Sequence, residues 1–124
     1  MTVTYTTAVK NARLDAVTTA AGTTAVLEIG TSAMGTVLAT IALGNPIAAA
    51  ASGAVLTLSG FPRSDTSADN TGTAAAARIR TASGGTDIIT GLTVGLSGSD
   101  INVDSVNITA GQTVRIDSAT ITHA

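Results

Sequence analysis

The side chains best suited to chemistry lie in the stretch GFPRSDTSADNTGTAAAARIR, from Gly60 to Arg80. Asp65, Asp69 and Asn70 bring three oxygen-bearing side chains close together, and oxygen ligands are what Ca²⁺ prefers. Their spacing differs from the D-x-[DN]-x-[DN]-G pattern of an EF-hand loop, and no glutamate follows to act as a bidentate ligand. Because Asp, Asn, Ser and Thr also bond their own backbone in turns, we expect an ordered polar connection between strands, a candidate for an interface, with no bound metal.

The other acids that invite a catalytic interpretation fall on or near the last predicted strands. They are Asp100, Asp104 and Asp117, with Arg78, Arg80 and Arg115 as partners within reach. Two carboxylates can hydrolyse a glycoside, but a sugar site would also use aromatic platforms, and Tyr5 and Phe61 are the only aromatic residues. We therefore expect these acids to face solvent or to form cross-strand pairs, worth about 0.2–1 kcal/mol each.

The sequence offers little for nucleophilic catalysis. Its one histidine, His123, is the penultimate residue, where a general base would not be held in an enclosed site. The run GLSGS at 95–99 approaches the G-x-S-x-G elbow of hydrolases, but Ser99 stands where the last glycine belongs. Phosphate-loop, dinucleotide and H-E-x-x-H motifs are absent. We expect no enzymatic activity, no catalytic residue and no cofactor.

Charge and composition exclude several classes of partner. The chain of 124 residues has a formal net charge of -2, and its 6 cations are scattered, whereas phosphate binding requires clustered cations. There is no cysteine, and therefore no disulfide or thiolate metal site. No apolar run approaches about 20 residues, and the start MTVTYTTAVK lacks the features of a signal peptide. We expect no nucleic-acid or membrane partner and synthesis in the cytoplasm.

The residues named above must be positioned by a helix followed by strands. Residues 6–21, TTAVKNARLDAVTTAA, are predicted to form a helix, with Thr6 or Thr7 capping its start and Gly22 its end. Its apolar residues recur on one side at helical spacing: Val9, Ala12, Ala16 and Ala20. Because MTVTYT alternates, a β-rich beginning is the alternative.

From residue 23 onward, short runs of Val, Ile, Leu and Thr are bounded by Gly, Ser, Asn and Asp, which predicts strands. The predicted strands are 24–30, 36–44, 54–60, 73–82, 87–95, 101–109 and 112–122. Ser83–Thr86 and Ala110–Gly111 are predicted hairpin turns, because their glycines supply the positive φ that such turns require. Of the two alanine runs, 48–51 is interpreted as loop and 74–77 as strand.

Seven or eight strands at turn intervals of about 8–12 residues predict an all-β fold. The specific expectation is an antiparallel jelly roll or β-sandwich over residues 23–124, preceded by a short helix or arm over residues 1–22. Small side chains dominate, and at roughly 25 cal/mol per Å² their burial leaves little margin over conformational entropy. A partner that binds only the folded state would add stability, so the composition favours association.

Three stretches resemble the small virion proteins of tailed bacteriophages and prophages. They are YTTAVKNARLDAVTTAAG (Tyr5 to Gly22), SGFPRSDTSADNTGTAAAARI (Ser59 to Ile79) and NITAGQTVRIDSATITHA (Asn107 to Ala124). In such phages, short β-rich proteins often serve as capsid cement or decoration proteins on the outside of the shell. The resemblance implies a structural role and an arm or helix that contacts the capsid, and it carries over no catalytic residue.

The expected function is therefore a structural virion protein on the capsid surface, made in the host cytoplasm. The resemblance implies the major capsid protein as partner, and we expect a homo-oligomer, dimeric or trimeric. The candidate interface residues are Val9, Arg13, Leu14, Val17, Phe61 and Arg63. The main alternative is a tail fibre or tail-tip module for host attachment, disfavoured because glycan-binding tips usually display aromatic rings. Two further alternatives are disfavoured. A small hydrolase of the cell envelope would need a general base, and His123 is the only candidate in the sequence. A binding module of a secreted adhesin would need an export signal, which the sequence does not show.

Overall fold

The computed structural model describes residues 3–123, which form one α-helix followed by ten strands. Helix α1 spans Thr7–Ala21, and a short 3₁₀ turn lies at Ser32–Met34. The strands are β1 (Val26–Gly30), β2 (Val37–Ala42), β3 (Val55–Thr57), β4 (Arg63–Asp65), β5 (Gly72–Thr73), β6 (Ala76–Arg80), β7 (Asp87–Gly95), β8 (Ile101–Val103), β9 (Asn107–Ile108) and β10 (Val114–Thr122). The predicted fold class, all-β with a short N-terminal helix, is confirmed.

Helix α1 begins and ends at the residues that the sequence favours. The Thr6 side-chain oxygen accepts a hydrogen bond from Val9 N at 3.3 Å, which satisfies one of the donors that the first helical turn leaves free. Gly22 follows the last turn with φ of +64°, a conformation that costs glycine little. The helix packs against β3 and β7.

The side of α1 that packs against the strands is not the side on which alanine recurs at helical spacing. Leu14 and Ala21 are buried, and Val17 packs against the same core. The apolar residues that predict the helix from the sequence all lie on its exposed side: Val9, Ala12, Ala16 and Ala20. The helix therefore buries Leu14, its largest apolar side chain, and exposes a row of small ones.

Eight strands form one mixed sheet in the order β2-β1-β6-β7-β8-β10-β3, with β4 also paired to β10, while β5 and β9 form a two-stranded sheet. The pairs are antiparallel except β7 with β8, which run parallel where Val94 lies opposite Ile101. Because β4 also lies against β2, the sheet curls until its two ends approach each other. This pairing does not establish the predicted jelly roll or sandwich.

The predicted hairpin around Ala110–Gly111 is wrong in its pairing. β9 and β10 follow each other in the chain, but β9 pairs with β5, whereas β10 pairs with β8, β4 and β3. Ala74 N donates to Val106 O at 2.8 Å, and this bond continues the β5–β9 ladder. The predicted strand 101–109 is accordingly divided into β8 and β9.

A β-bulge in β7 keeps apolar side chains on the core side of the sheet. Ala77 lies opposite Leu92, and Ile79 lies opposite Ile89. The same stretch of the ladder therefore advances by two residues in β6 and by three in β7. Gly91, with φ of +77°, is at this bulge, where a side chain would be strained. The extra residue reverses the alternation, and both Leu92 and Ile89 can therefore pack on the core.

A second bulge in β10 has the same effect. Val114 and Ile116 are buried before it, and Ala119 and Ile121 are buried after it, so the inward positions change from even to odd numbers. The register shifts between Ile116 and Ser118 opposite β8. Strand β10 can thereby contribute to the core along its whole length while it pairs with three other strands.

Candidate functional site

Asp65 uses its carboxylate to bond the free edge of β2. Its Oδ2 accepts a hydrogen bond from Thr40 N at 3.0 Å, and its Oδ1 accepts one from Ser67 N at 3.0 Å. An edge strand otherwise presents unpaired backbone groups to solvent or to other chains. Asp65 therefore has a structural partner in the same chain.

The neighbouring polar residues continue this contact along β2. Asp69 N donates to Leu38 O at 2.7 Å, and Asn70 Nδ2 donates to Val37 O at 2.8 Å. The Asp69 carboxylate makes only a 3.5 Å contact with Thr40 Oγ1. Asp65, Asp69 and Asn70 thus attach to β2, and within residues 3–123 no group of three or more His, Cys, Asp or Glu is placed to hold a metal ion.

Phe61 and Arg63, two of the predicted interface residues, are engaged within the chain. The Arg63 guanidinium lies 5.7 Å from the centre of the Phe61 ring and donates to Ser59 O at 3.3 Å and to Ala42 O at 3.5 Å. It fits in a notch that a side chain on Gly60 would occupy. Phe61 in turn packs against the core. Both residues therefore help to hold the start of β4 against the end of β2.

The acids on the later strands have local partners, but Asp117 pairs with Arg115 of its own strand rather than across strands, and Arg78 and Arg80 pair with Glu28 and Asp87 instead. Asp100 Oδ2 accepts from Thr93 N at 2.9 Å, and the carboxylate of Asp117 lies 2.8 Å from Arg115 Nε. Asp104 Oδ1 accepts from Arg115 N at 3.3 Å. These contacts are local and solvent-exposed, and each one joins neighbouring strands or residues.

An ionic cluster centred on a buried glutamate, which the sequence does not predict, lies on β1, β6 and β7. Glu28 is 5% exposed, and its Oε1 lies 2.7 Å from Arg78 Nε and 3.7 Å from Arg80 Nη1. Arg80 Nε lies 3.0 Å from Asp87 Oδ1 and Arg80 also donates to Gly85 O. The signal available in the sequence is that Glu28, the only glutamate, interrupts the apolar run VLEIG. Since its charge is balanced by two arginines, the cluster ties three strands together.

The exposed side of α1 carries mainly small apolar side chains. The small side chains on it recur every four residues and are all exposed: Ala8, Ala12, Ala16 and Ala20. Val9, next to this row, is 43% exposed. Of the predicted contact positions, Val9 and Arg13 are thus at the surface, Val17 is half-buried and Leu14 belongs to the core.

Side-chain hydrogen bonds fix the helix to the segment that precedes β3. Asn11 Oδ1 accepts from Ala54 N at 2.9 Å, and Asp15 Oδ1 accepts from Ala51 N at 2.8 Å. Ala54 has a positive φ of 62° in the turn before β3, and Asn11 satisfies its backbone donor. These bonds, with buried Leu14, set the direction in which the alanine row faces.

An aromatic cluster lies at the start of α1. The Arg13 guanidinium is 4.5 Å from the centre of the Tyr5 ring, and the His123 ring meets Tyr5 edge-on at 6.0 Å. His123 N also donates to Ala54 O at 2.9 Å, which holds the end of β10 beside the helix. His123 is therefore part of a packed contact between the two ends of the described chain.

Beside α1 lies an open groove of about 390 Å³. Its lining consists of one carboxylate, two hydroxyl side chains and small apolar residues: Asp15, Thr18, Thr19, Pro46, Ala48, Ala49 and Ala50. The groove follows directly from the bond between Asp15 and Ala51, which brings the 46–51 segment alongside the helix.

Comparison of the chain with protein-family models, with curated proteins and with solved structures gives no match. Within residues 3–123, no helix is long and apolar enough to cross a bilayer.

Proposed function

We propose that this chain is a structural virion protein, a capsid cement or decoration protein that lies on the shell and bridges neighbouring major capsid subunits. The observation that carries the proposal is the exposed alanine row of α1, a firmly held apolar surface that nothing else within residues 3–123 covers. The resemblance of Tyr5–Gly22, Ser59–Ile79 and Asn107–Ala124 to small phage virion proteins supports it.

The way α1 is attached suits a contact surface. Leu14 and Ala21 are in the core, and Asn11 and Asp15 bond backbone amides of the neighbouring segment, so the outer face keeps one orientation. A surface that is already ordered avoids the entropy cost of ordering on binding. Alanine side chains also have no polar groups to desolvate and few rotamers to lose.

The size of this surface favours an oligomer. With 15 residues at 1.5 Å each, α1 is about 22 Å long, and a helix is about 10 Å across, which gives a footprint of roughly 220 Å². A stable interface buries about 800 Å² on each partner. A dimer or trimer would present two or three such helices to a symmetric shell, and their simultaneous binding would raise the overall affinity.

The copy number of the protein in purified phage particles tests the location. Quantitative mass spectrometry against the major capsid protein should give a ratio near one or a simple fraction, as expected for a protein on the shell lattice. A handful of copies per particle would instead favour the tail fibre or tail-tip module. Absence from the particle would remove the proposal altogether.

Replacing alanines on the row tests the surface itself. Ala12→Glu with Ala16→Glu adds bulk and charge while retaining a residue with good helix propensity, so α1 should persist. The matched control is Ala110→Glu, which changes an exposed alanine in the β9–β10 turn. We expect the double variant to lose at least about tenfold in affinity for stripped particles, and the control to bind like the unmodified protein. Equal binding by all three would exclude the alanine row as the shell contact.

A further inference from the structure

We infer that the groove beside α1 binds a lysine or arginine side chain presented by a partner protein. The inference rests on the proposed function for the identity of the partner. On that proposal, the chain that presents the side chain is a subunit of the shell. The groove chemistry on which it depends is that of Asp15, Thr18 and the 46–50 segment.

Asp15 supplies a charge that no ion pair within residues 3–123 balances. Its Oδ1 accepts the hydrogen bond from Ala51 N, and Asp15 takes part in none of the ion pairs found within residues 3–123. The second oxygen is therefore available to a ligand. In a groove whose other lining residues are two threonines and small apolar residues, the complement of a carboxylate is an ammonium or guanidinium group, which forms a charge-assisted hydrogen bond.

The walls of the groove suit the stem of such a side chain. Pro46, Ala48, Ala49 and Ala50 present methyl and ring carbons along one side. Lysine and arginine commonly lay their methylene chains along apolar surface while the charged end reaches a polar group. The volume of about 390 Å³ is at the lower end of the range of about 300–1,000 Å³ for ligand pockets. It fits one long side chain better than a large folded ligand.

Thr18 provides a second polar group at the same place. Its Oγ1 is buried without a hydrogen-bond partner, although the residue lines the groove. Threonine in a helix divides between two χ1 rotamers, so rotation can exchange the positions of its hydroxyl and methyl groups. An ammonium group has three donors and can bond both Asp15 and the reoriented Thr18 hydroxyl. Such binding would satisfy a group that is costly to leave unpaired.

The test uses n-butylammonium chloride as a mimic of the lysine side chain, titrated into ¹⁵N-labelled protein. Saturable shifts should appear at the backbone amides of Thr18, Ala48, Ala49 and Ala50. Asp15→Asn keeps an oxygen that can accept from Ala51 N and removes the charge together with the second acceptor oxygen, so it should weaken binding about fivefold. The matched control Asp69→Asn removes a charge beside β2 and should leave the affinity unchanged. Butyrate, of similar length and opposite charge, should give no saturable shift in the groove.

Equal affinity of n-butylammonium for the unmodified protein and Asp15→Asn, or no saturable shift at all, would overturn the inference. Thermal unfolding of both Asn variants checks that the fold is intact. Because the probe requires no particle, the two proposals can fail separately. If the groove binds n-butylammonium but the protein is absent from particles, only the capsid function is contradicted. If the protein binds the shell but the groove does not bind n-butylammonium, only the groove inference is contradicted.

Discussion

Asp65 and Asp69 are four residues apart, yet their carboxylates have different partners. Asp65 accepts hydrogen bonds from two backbone amides, whereas the Asp69 carboxylate makes only the 3.5 Å contact with Thr40 Oγ1. An unpaired backbone donor is costly where it is partly buried, and bonds to a charged acceptor are the stronger ones. The residue with structural importance is therefore Asp65.

We predict that Asp65→Ala lowers the free energy of unfolding by about 1–2 kcal/mol, because Thr40 N and Ser67 N both lose their acceptor. Asp69→Ala should change it by less than about 0.5 kcal/mol, since the Asp69 backbone bond to β2 is retained. Urea unfolding of the two variants beside the unmodified protein measures both values. Equal losses would show that the carboxylate of Asp69 matters as much as that of Asp65.

The chemistry of single residues is partly predictable from the sequence. The bond from Ser67 N to Asp65 is local and belongs to the turn behaviour that Asp favours. The bond from Thr40 N spans 25 residues and exists because the sheet curls, which no local pattern specifies. Glu28 is similar, because its two arginines come from a strand about 50 residues later.

At the scale of elements, the sequence predicts the bounds of the helix but does not specify which of its sides is buried. Its caps, Thr6 and Gly22, are specified by local chemistry. Its orientation depends on which side chains gain most from burial, and alanine gains little compared with leucine. Leu14 therefore decides the buried side, although the alanine spacing gives the clearer periodicity.

Truncation of single side chains on α1 tests this orientation. Leu14→Ala should lower the free energy of unfolding by about 2–4 kcal/mol, because it removes buried area and leaves a cavity beneath the helix. The matched control Val9→Ala, on the exposed side, should change it by less than about 0.5 kcal/mol. Chemical denaturation measures both. A larger loss for Val9→Ala would mean that the alanine row is the packed side.

Strand positions are predicted better than strand partners. The predicted 87–95 coincides with β7, and the predicted 24–30 contains β1, because alternation and turn residues mark both. The bulges at Gly91 and near Asp117 reverse the inward positions within a strand, so the pattern alone does not give the register. The short strand β4 lies in a stretch without apolar alternation, and only the curl of the sheet provides its partners.

For the whole molecule, the main question is whether α1 is an independent arm or part of the folded unit. Leu14 and Ala21 belong to the same core cluster as Leu27 and Leu56, which lie on β1 and β3. Asn11 and Asp15 add bonds from the helix to the segment before β3. The contacts therefore connect the helix to β3, at one end of the sheet, and to β7, in its middle.

We predict that α1 and the sheet unfold together. An isolated helix of about 15 residues is marginal in water, so lasting protection of its amides must come from packing against the rest of the protein. Native-state hydrogen exchange should therefore give residues 11–21 opening free energies close to those of β1, within about 1 kcal/mol. The first four helical amides are left out of the comparison because most of them lack an intrahelical acceptor. Exchange of residues 11–21 at the rate of a free peptide, while β1 stays protected, would identify α1 as an arm that docks only on its partner. In that case the alanine row would become ordered only in the proposed contact with a partner.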